Sequence, residues 1–245
     1  MKGLVLPAVV LLAWEAASHA GVVDPRILPP IESVLRAGRL IAGQRDVWGD
    51  VGASLARDLS GFAIGAMAGL IVGFVLGRFR ICASLFQPSF DVVKQIALFA
   101  WIPLISMWFG TGEMAKVVFV ALGAFVPMVL NTAEGVRSTP DWQTEVGRTL
   151  CLTRWQMTRR IYLPASVPSI LTGTHLALIY SWLATIGAEY FMTTGPGLGG
   201  LIIEGRDRFA MDLVMLGVVL LGLIGFALNG IAELAEHRLL RWRPT

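Results

Sequence analysis

Apolar residues fall along this chain in long blocks, and the charged residues collect in the short stretches between them. A helix crossing the ~30 Å hydrocarbon core of a bilayer needs about 20 predominantly apolar residues. The block lengths therefore predict an all-α membrane protein: one domain over residues 1–245 with six transmembrane helices, at about residues 4–20, 51–77, 86–109, 113–133, 164–193 and 211–234. The first block is interrupted by Glu15 and preceded only by Lys2, and it reads as a retained helix rather than a signal peptide. Between the first two blocks, Ile31, Val34, Leu35 and Leu40 recur at helical spacing, which predicts a helix lying along the membrane surface over Ile31–Ala42. The segment 134–163 is the one sizeable polar loop.

Composition narrows the class. Charged residues make up 15% of the 245 positions, against ~25% in soluble domains, and the mean hydropathy is +0.68. A soluble globular enzyme and a disordered chain are both excluded on these figures. Lysine and arginine set the orientation. One set of loops carries eleven of them (Lys2, Arg78, Arg80, Arg137, Arg148, Arg154, Arg159, Arg160, Arg238, Arg241, Arg243) and the opposite set six (Arg26, Arg36, Arg39, Arg45, Arg206, Arg208). Arg57, Lys94 and Lys116 lie at or inside spans. Both termini and the loop 134–163 are expected in the cytoplasm. Cys82 and Cys151 form no disulfide framework and read as small apolar fillers.

The second span carries Gly61, Gly65, Gly69, Gly73 and Gly77 at four-residue spacing. Lipid tails are as apolar as leucine, so membrane helices associate by close packing, and small residues every fourth position let two backbones approach. The stripe predicts a tight helix contact, either static or a sliding face. Ionisable residues inside spans are costly and mark sites to inspect. Glu189 either faces a polar cavity or pairs with a Lys or Arg. His175 is either a satisfied packing residue or a proton or substrate contact. Asp91 and Lys94 are placed to neutralise one another at i, i+3. Trp101-Ile102-Pro103 is expected to break the third span, freeing carbonyls that must be satisfied in a protein interior or along a water-lined path, and Pro127 acts similarly in the fourth. Glu189, Trp101 and His175 are the candidates for a solute pathway. His19, His175 and His237 show no metal-ligand spacing, and the chain has no phosphate-binding GxxxxGK[ST] loop. Gly195–Gly200 follows a span rather than a strand. The chain is not expected to be an enzyme or to bind a metal or cofactor.

The polar loop reads as a helix–turn–helix, with helices over Glu145–Leu150 and Arg154–Ile161, a break at Cys151–Thr153, and Thr153 as cap of the second helix. Pro164 marks the start of the next span. Leu152, Trp155 and Met157 are expected to be exposed among basic residues, which suggests a protein partner. The spacing of Glu145, Cys151, Ile161, Leu163 and Pro164 resembles the EAA loop of binding-protein-dependent ABC importer permeases. The stretches Arg26-Ile-Leu-Pro-Pro, Ile102–Glu113, Asn131–Arg137, and Ala188-Glu189 followed by Gly197-Leu198-Gly199 resemble the nitrate/sulfonate/taurine subfamily, so the likeness covers nearly the whole chain. It implies the type I permease fold. It also implies that Glu145, Val146, Gly147, Cys151, Leu152, Trp155, Ile161, Leu163 and Pro164 couple the chain to a separate ATPase. The family usually has Gly at the position of Cys151 and Ala-Ala at Val146-Gly147. Because Cys adopts positive φ poorly, the turn is expected to be built differently, with freedom shifted to Gly147.

The resemblance implies a homodimer of permeases in a bacterial inner membrane, two ATPase subunits holding ATP and Mg on the cytoplasmic side, and an external substrate-binding protein that delivers a small anion; it implies no nucleic acid partner. A secondary transporter or channel working without an ATPase is the alternative. It would show inverted repeats and paired discontinuous helices, and the two halves show no convincing repeat. A membrane-embedded enzyme would need clustered catalytic residues, which the sequence lacks. The arginines of the first outer loop suit an anionic cargo or an acidic docking surface.

Overall fold

The computed structural model describes residues 5–20, 24, 27–44, 46–192 and 195–239. Lys2, Arg26, Arg45, Arg241 and Arg243, which enter the charge asymmetry, lie outside the described residues. Every regular element among the described residues is helical. In order these are α1 (Val5–His19), α2 (Ile31–Gln44), α3 (Val47–Arg78), α4 (Arg80–Val93), a 3-10 turn (Leu98–Trp101), α5 (Ile102–Phe109), α6 (Glu113–Arg137), α7 (Asp141–Thr149), α8 (Arg154–Met157), a π turn (Thr158–Tyr162), α9 (Leu163–Phe191), α10 (Leu198–Asp207) and α11 (Met211–Leu239). The chain divides into two compact units, Met1–Ser54 with Gly195–Ile224 and Leu55–Thr194 with Gly225–Thr245.

In the first unit, α1 is tied to the segment before α2. Trp14 Nε1 donates to the Pro29 carbonyl (3.0 Å), Ser18 Oγ donates to the Leu28 carbonyl (3.1 Å), and Glu15 Oε2 accepts from the Ile31 amide (3.2 Å). The 15 residues of α1 rise about 22 Å, short of the ~30 Å hydrocarbon core. A helix absent from the expected pattern, α10, follows the glycine-rich loop. Its first orphan amides are satisfied from a distance: Gly197 N–H donates to Asp50 Oδ1 (2.9 Å) and Leu198 N–H to Ser54 Oγ (3.1 Å). Gly205 and Gly217 then let α10 and the start of α11 pack closely, because a methyl added at either would press on Val214 or Ile202.

The second unit holds the glycine stripe. A methyl added at Gly61 would meet Val120, at Gly65 the Ala121 carbonyl, at Gly69 the Phe125 carbonyl, at Gly73 the Val129 carbonyl and at Gly77 Val136. Both number series rise together, so α3 and α6 run parallel. Helix α9 runs antiparallel to α6, with Gly123 against Ala184, Gly173 against Asn131 and Gly135 against Ser169. Helix α11 runs back along α9, with Gly225 against Trp182 and Asn229 beside His175. Buried Phe119, Val120, Ala184, Ala188 and Met192 fill the core at one end, and Leu76, Val129 and Ala133 at the other.

Parallel neighbours have a topological consequence. The segment between α3 and α6 must carry the chain back from the Arg78 end to the Glu113 end. It does so as α4 and the α5 region, bent by 91°; the third span is broken as expected, but ahead of the expected position. The helix stops at Lys94–Ala97, ahead of Trp101-Ile102-Pro103, and Pro103 sits in the first turn of α5, where a missing amide costs nothing. Among the described residues, four single helices are long and apolar enough to cross a membrane, and the bent pair passes the same test as a broken span or a re-entrant loop. Further along, the helix Arg154–Phe191 is continuous over 38 residues. Pro164 therefore does not separate loop from span. The π turn absorbs it: the Leu163 amide reaches back five residues to the Thr158 carbonyl, and the next amide, which Pro164 lacks, is not needed.

Candidate functional site

The polar loop forms a hairpin. Asp141 opens α7, where its charge favours the helix N-terminus. The helix ends in a Schellman turn: Cys151 N–H donates to the Arg148 carbonyl (2.9 Å) and Leu152 N–H to the Gly147 carbonyl (3.0 Å). The residue in the left-handed position is Cys151, at φ 50°. The turn is thus not rebuilt around Gly147, as the substitution suggested; Cys151 adopts the conformation that glycine takes at no cost. Gly147 is buried and helical, and a methyl there would collide with Met157 and Ile161. It is a close-contact residue between the two arms. Thr153 and Gln156 then form a capping box at the start of α8 (Gln156 N–H to Thr153 Oγ1, 3.3 Å; Thr153 N–H to Gln156 Oε1, 2.9 Å).

The exposed face differs from the expected one. Met157 is buried against Gly147 and Leu152 is half-buried, while Trp155 is 71% exposed. Trp142, Val146 and Leu150, on α7 and its C-terminal end, add exposed apolar surface, as do Leu163 and Pro164 at the base. Glu145 lies exposed on α7. A groove of about 510 Å³ runs between the arms, lined by Trp142, Val146, Leu150, Leu152, Arg160 and Ile161 among others. The Arg78 guanidinium lies 4.4 Å from the Tyr162 ring centroid and ties the hairpin base to the end of α3. Cys151 is exposed rather than a filler, whereas Cys82 packs beside the Leu76–Val129–Ala133 core.

At the other end of α3, α6 and α9 lies a group of charges. Arg57 donates through Nε and Nη2 to the two carboxylate oxygens of Glu113 (2.8 Å each) and through Nη1 to Glu189. Lys116 Nζ reaches Glu113 Oε1 at 3.4 Å. Arg57, Lys116 and Glu189 are buried, and the Glu113 side chain is 58% exposed. Beside them, buried Asp58 accepts from Thr185 Oγ1 at 3.2 Å. Sequence reasoning singled out Glu189 and missed Arg57, Glu113 and Lys116 as its setting; the signal was an arginine and a lysine inside otherwise apolar spans.

The three pathway candidates do not meet. Glu189 belongs to this charge group. His175 links α9 to α11, lying 2.7 Å from Asn229 Oδ1 and 3.5 Å from Glu236 Oε2. Trp101 lines a separate cavity of about 400 Å³ beside the break at Lys94–Ala97. Asp91 and Lys94 form an i, i+3 pair at 2.7 Å. In the first unit the fold brings Glu15, His19 and Glu32 within 4.8 Å of one another. That grouping was not visible in the spacing, and both Glu15 oxygens are already engaged, by His19 (2.9 Å) and by the Ile31 amide.

Residues 65–241 match the family model described as binding-protein-dependent transport system inner membrane component. The chain is 34% identical over 244 residues to SsuC of Bacillus subtilis strain 168, named for aliphatic sulfonates transport, covering 99% of this chain and 88% of that protein. It is 32% identical over 189 residues to the bicarbonate transport system permease protein CmpB of Synechococcus elongatus, covering 77% and 68%. Among solved structures it resembles one of the MetNI methionine ABC transporter in an inward-facing conformation, at a TM-score of 0.53 and 20% identity, over 77% of this chain and 94% of that one. That likeness is one of fold.

Proposed function

This chain belongs to the family of binding-protein-dependent transport system inner membrane components, and from that membership we propose that it passes a small anion from an external binding protein to the cytoplasm, driven by a separate ATPase that docks on its hairpin. The observation that carries the coupling reading is mechanical. The second arm of the hairpin and the crossing helix α9 are one continuous 38-residue helix. Force applied at Trp155 is therefore delivered along a rod to Glu189, about 50 Å away by helix rise. Cys151 in the left-handed turn and Gly147 in close contact fix the first arm against that rod, so the two arms move together.

The exposed apolar face fits a partner. Large aromatic side chains held in the open supply binding energy when a facing surface covers them, and Arg160 lines the groove between the arms, with exposed Arg154 and Arg159 on the same arm available for charge matching. ATP and Mg belong to the ATPase, whose closure would move the hairpin. The anionic cargo is supported by relatives named for aliphatic sulfonates and bicarbonate. Both termini lie in the cytoplasm, on the arginine and lysine asymmetry. The working unit is two copies of the chain with two ATPase subunits.

The test is a reconstituted importer. Trp155→Ala is expected to lower ATPase stimulation by the loaded binding protein at least tenfold while leaving the permease folded, because the side chain is exposed. Unchanged stimulation in both Trp155→Ala and Leu150→Ala would end the coupling reading.

A further inference from the structure

The break at Lys94–Ala97 sits inside a crossing segment, where backbone amides and carbonyls have no water from the lipid side. Irregular backbone at that depth persists where it is buried in protein or lines a wet cavity. Here it lines one. The cavity of about 400 Å³ is bounded by Lys94, Gln95, Trp101, Asn131 and Tyr180 together with apolar residues of α6 and α9. That volume falls in the range of small-molecule sites, ~300–1,000 Å³.

Its chemistry is one-sided. Among the described residues of the lining, Lys94 is the one that carries charge. Asp91 reaches the ammonium from along α4, 2.7 Å from Nζ. An ammonium has three donors, so one carboxylate contact leaves capacity for a second anion. The Gln95 and Asn131 amides and the Tyr180 hydroxyl add groups able to donate. Asn131 Nδ2 is held at 2.8 Å by the Pro127 carbonyl, which fixes the amide at the cavity wall. Trp101, Leu122 and Val126 supply an apolar side suited to a short alkyl group. Gly123 and Pro127 complete the α6 side of the lining.

We propose that this cavity, at the interruption between α4 and the 3-10 turn, is where the chain holds its solute in transit. Lys94 is the electrostatic partner of a small oxyanion, and Gln95, Asn131 and Tyr180 orient it. The inference rests on the anion-importer reading and gives that reading a location. It separates the roles of the charged groups: Arg57 is held between Glu113 and Glu189, whereas Lys94, paired with Asp91 along α4, lines the cavity.

The experiment uses the complete importer in proteoliposomes, with radiolabelled ethanesulfonate as probe. Lys94→Met is expected to cut uptake at limiting ethanesulfonate at least tenfold, Lys94→Arg to retain most of it, and Asn131→Leu to lose it severalfold. Equal uptake by wild type and Lys94→Met overturns the site. Should Lys94→Met not assemble on size-exclusion chromatography, Asn131→Leu and Tyr180→Phe decide: a loss in either supports the site, and wild-type uptake in both overturns it. Failure of the broader reading looks different. A wild-type importer that takes up none of ethanesulfonate, nitrate and bicarbonate, yet couples ATP turnover through Trp155, removes the anion assignment itself and this site with it.

Discussion

At one end of helices α3, α6 and α9, Arg57 and Glu189 bury opposite charges among apolar side chains; at the other end, Trp142, Leu150 and Trp155 hold apolar surface out from a hairpin. Each arrangement reverses what is usual for its place. The buried charges are settled within the chain, because Arg57 meets two carboxylates and none of its partners needs another molecule. The exposed Trp142 and Trp155 are left uncovered by the described residues. The first end therefore reads as a fastening between three helices and the second as a surface awaiting a partner.

That contrast can be broken most forcefully at Arg57. Arg57→Met removes the cation that meets both Glu113 and Glu189, and removing one partner of a buried pair costs about 3–5 kcal/mol. Thermal unfolding in detergent, followed by circular dichroism, should show this loss. The double change Arg57→Met with Glu189→Met should recover most of it, since two apolar side chains replace the pair. A double variant as unstable as the single one would mean that the charges do more than fasten. Trp155→Ala, by contrast, should leave the unfolding midpoint in place and change only the coupling to ATP turnover.

Next in size is the glycine stripe, which joins the two ends. Gly65→Ala would drive a methyl into the Ala121 carbonyl, and overpacking of a tight contact costs roughly 1–3 kcal/mol. Gly222→Ala on α11 meets nothing within 4 Å, and should be neutral or stabilising by up to about 1 kcal/mol through helix propensity. If both substitutions behave alike, the stripe is not a contact surface.

The smallest expected effect lies in the hairpin. Cys151→Gly removes the strain of a left-handed Cβ and should stabilise the turn by about 1 kcal/mol. It is best read from slower amide exchange across residues 147–153. Loss of stability on Cys151→Gly would mean that the thiol makes a contact worth more than the strain.

How far these features can be read from the amino-acid order depends on their range. The stripe is legible because a four-residue period in small residues reports a backbone contact by itself, though not which helix is met. The hairpin is legible in outline through Thr153, which caps its second arm locally, although the first arm begins at Asp141 rather than Glu145. Its exposed face is not, because Gly147 draws Met157 inward and leaves Leu150 outside. The Arg57–Glu113–Glu189 group joins positions 56 and 132 residues apart, and no local pattern announces such a meeting. Helix α10 escapes notice for the same reason: Asp50 and Ser54 cap its start from 147 and 144 residues away. The bend at Lys94–Ala97 becomes necessary only once α3 and α6 are seen to run parallel.

The central claim is that the hairpin is the surface another subunit covers. Amide hydrogen exchange of the permease in detergent, with and without its ATPase, tests it directly. The account predicts strong added protection over residues 141–157 when the ATPase is present, with little change around Arg57 and Glu189. Equal exchange of the hairpin in both samples, with protection appearing elsewhere, would contradict it.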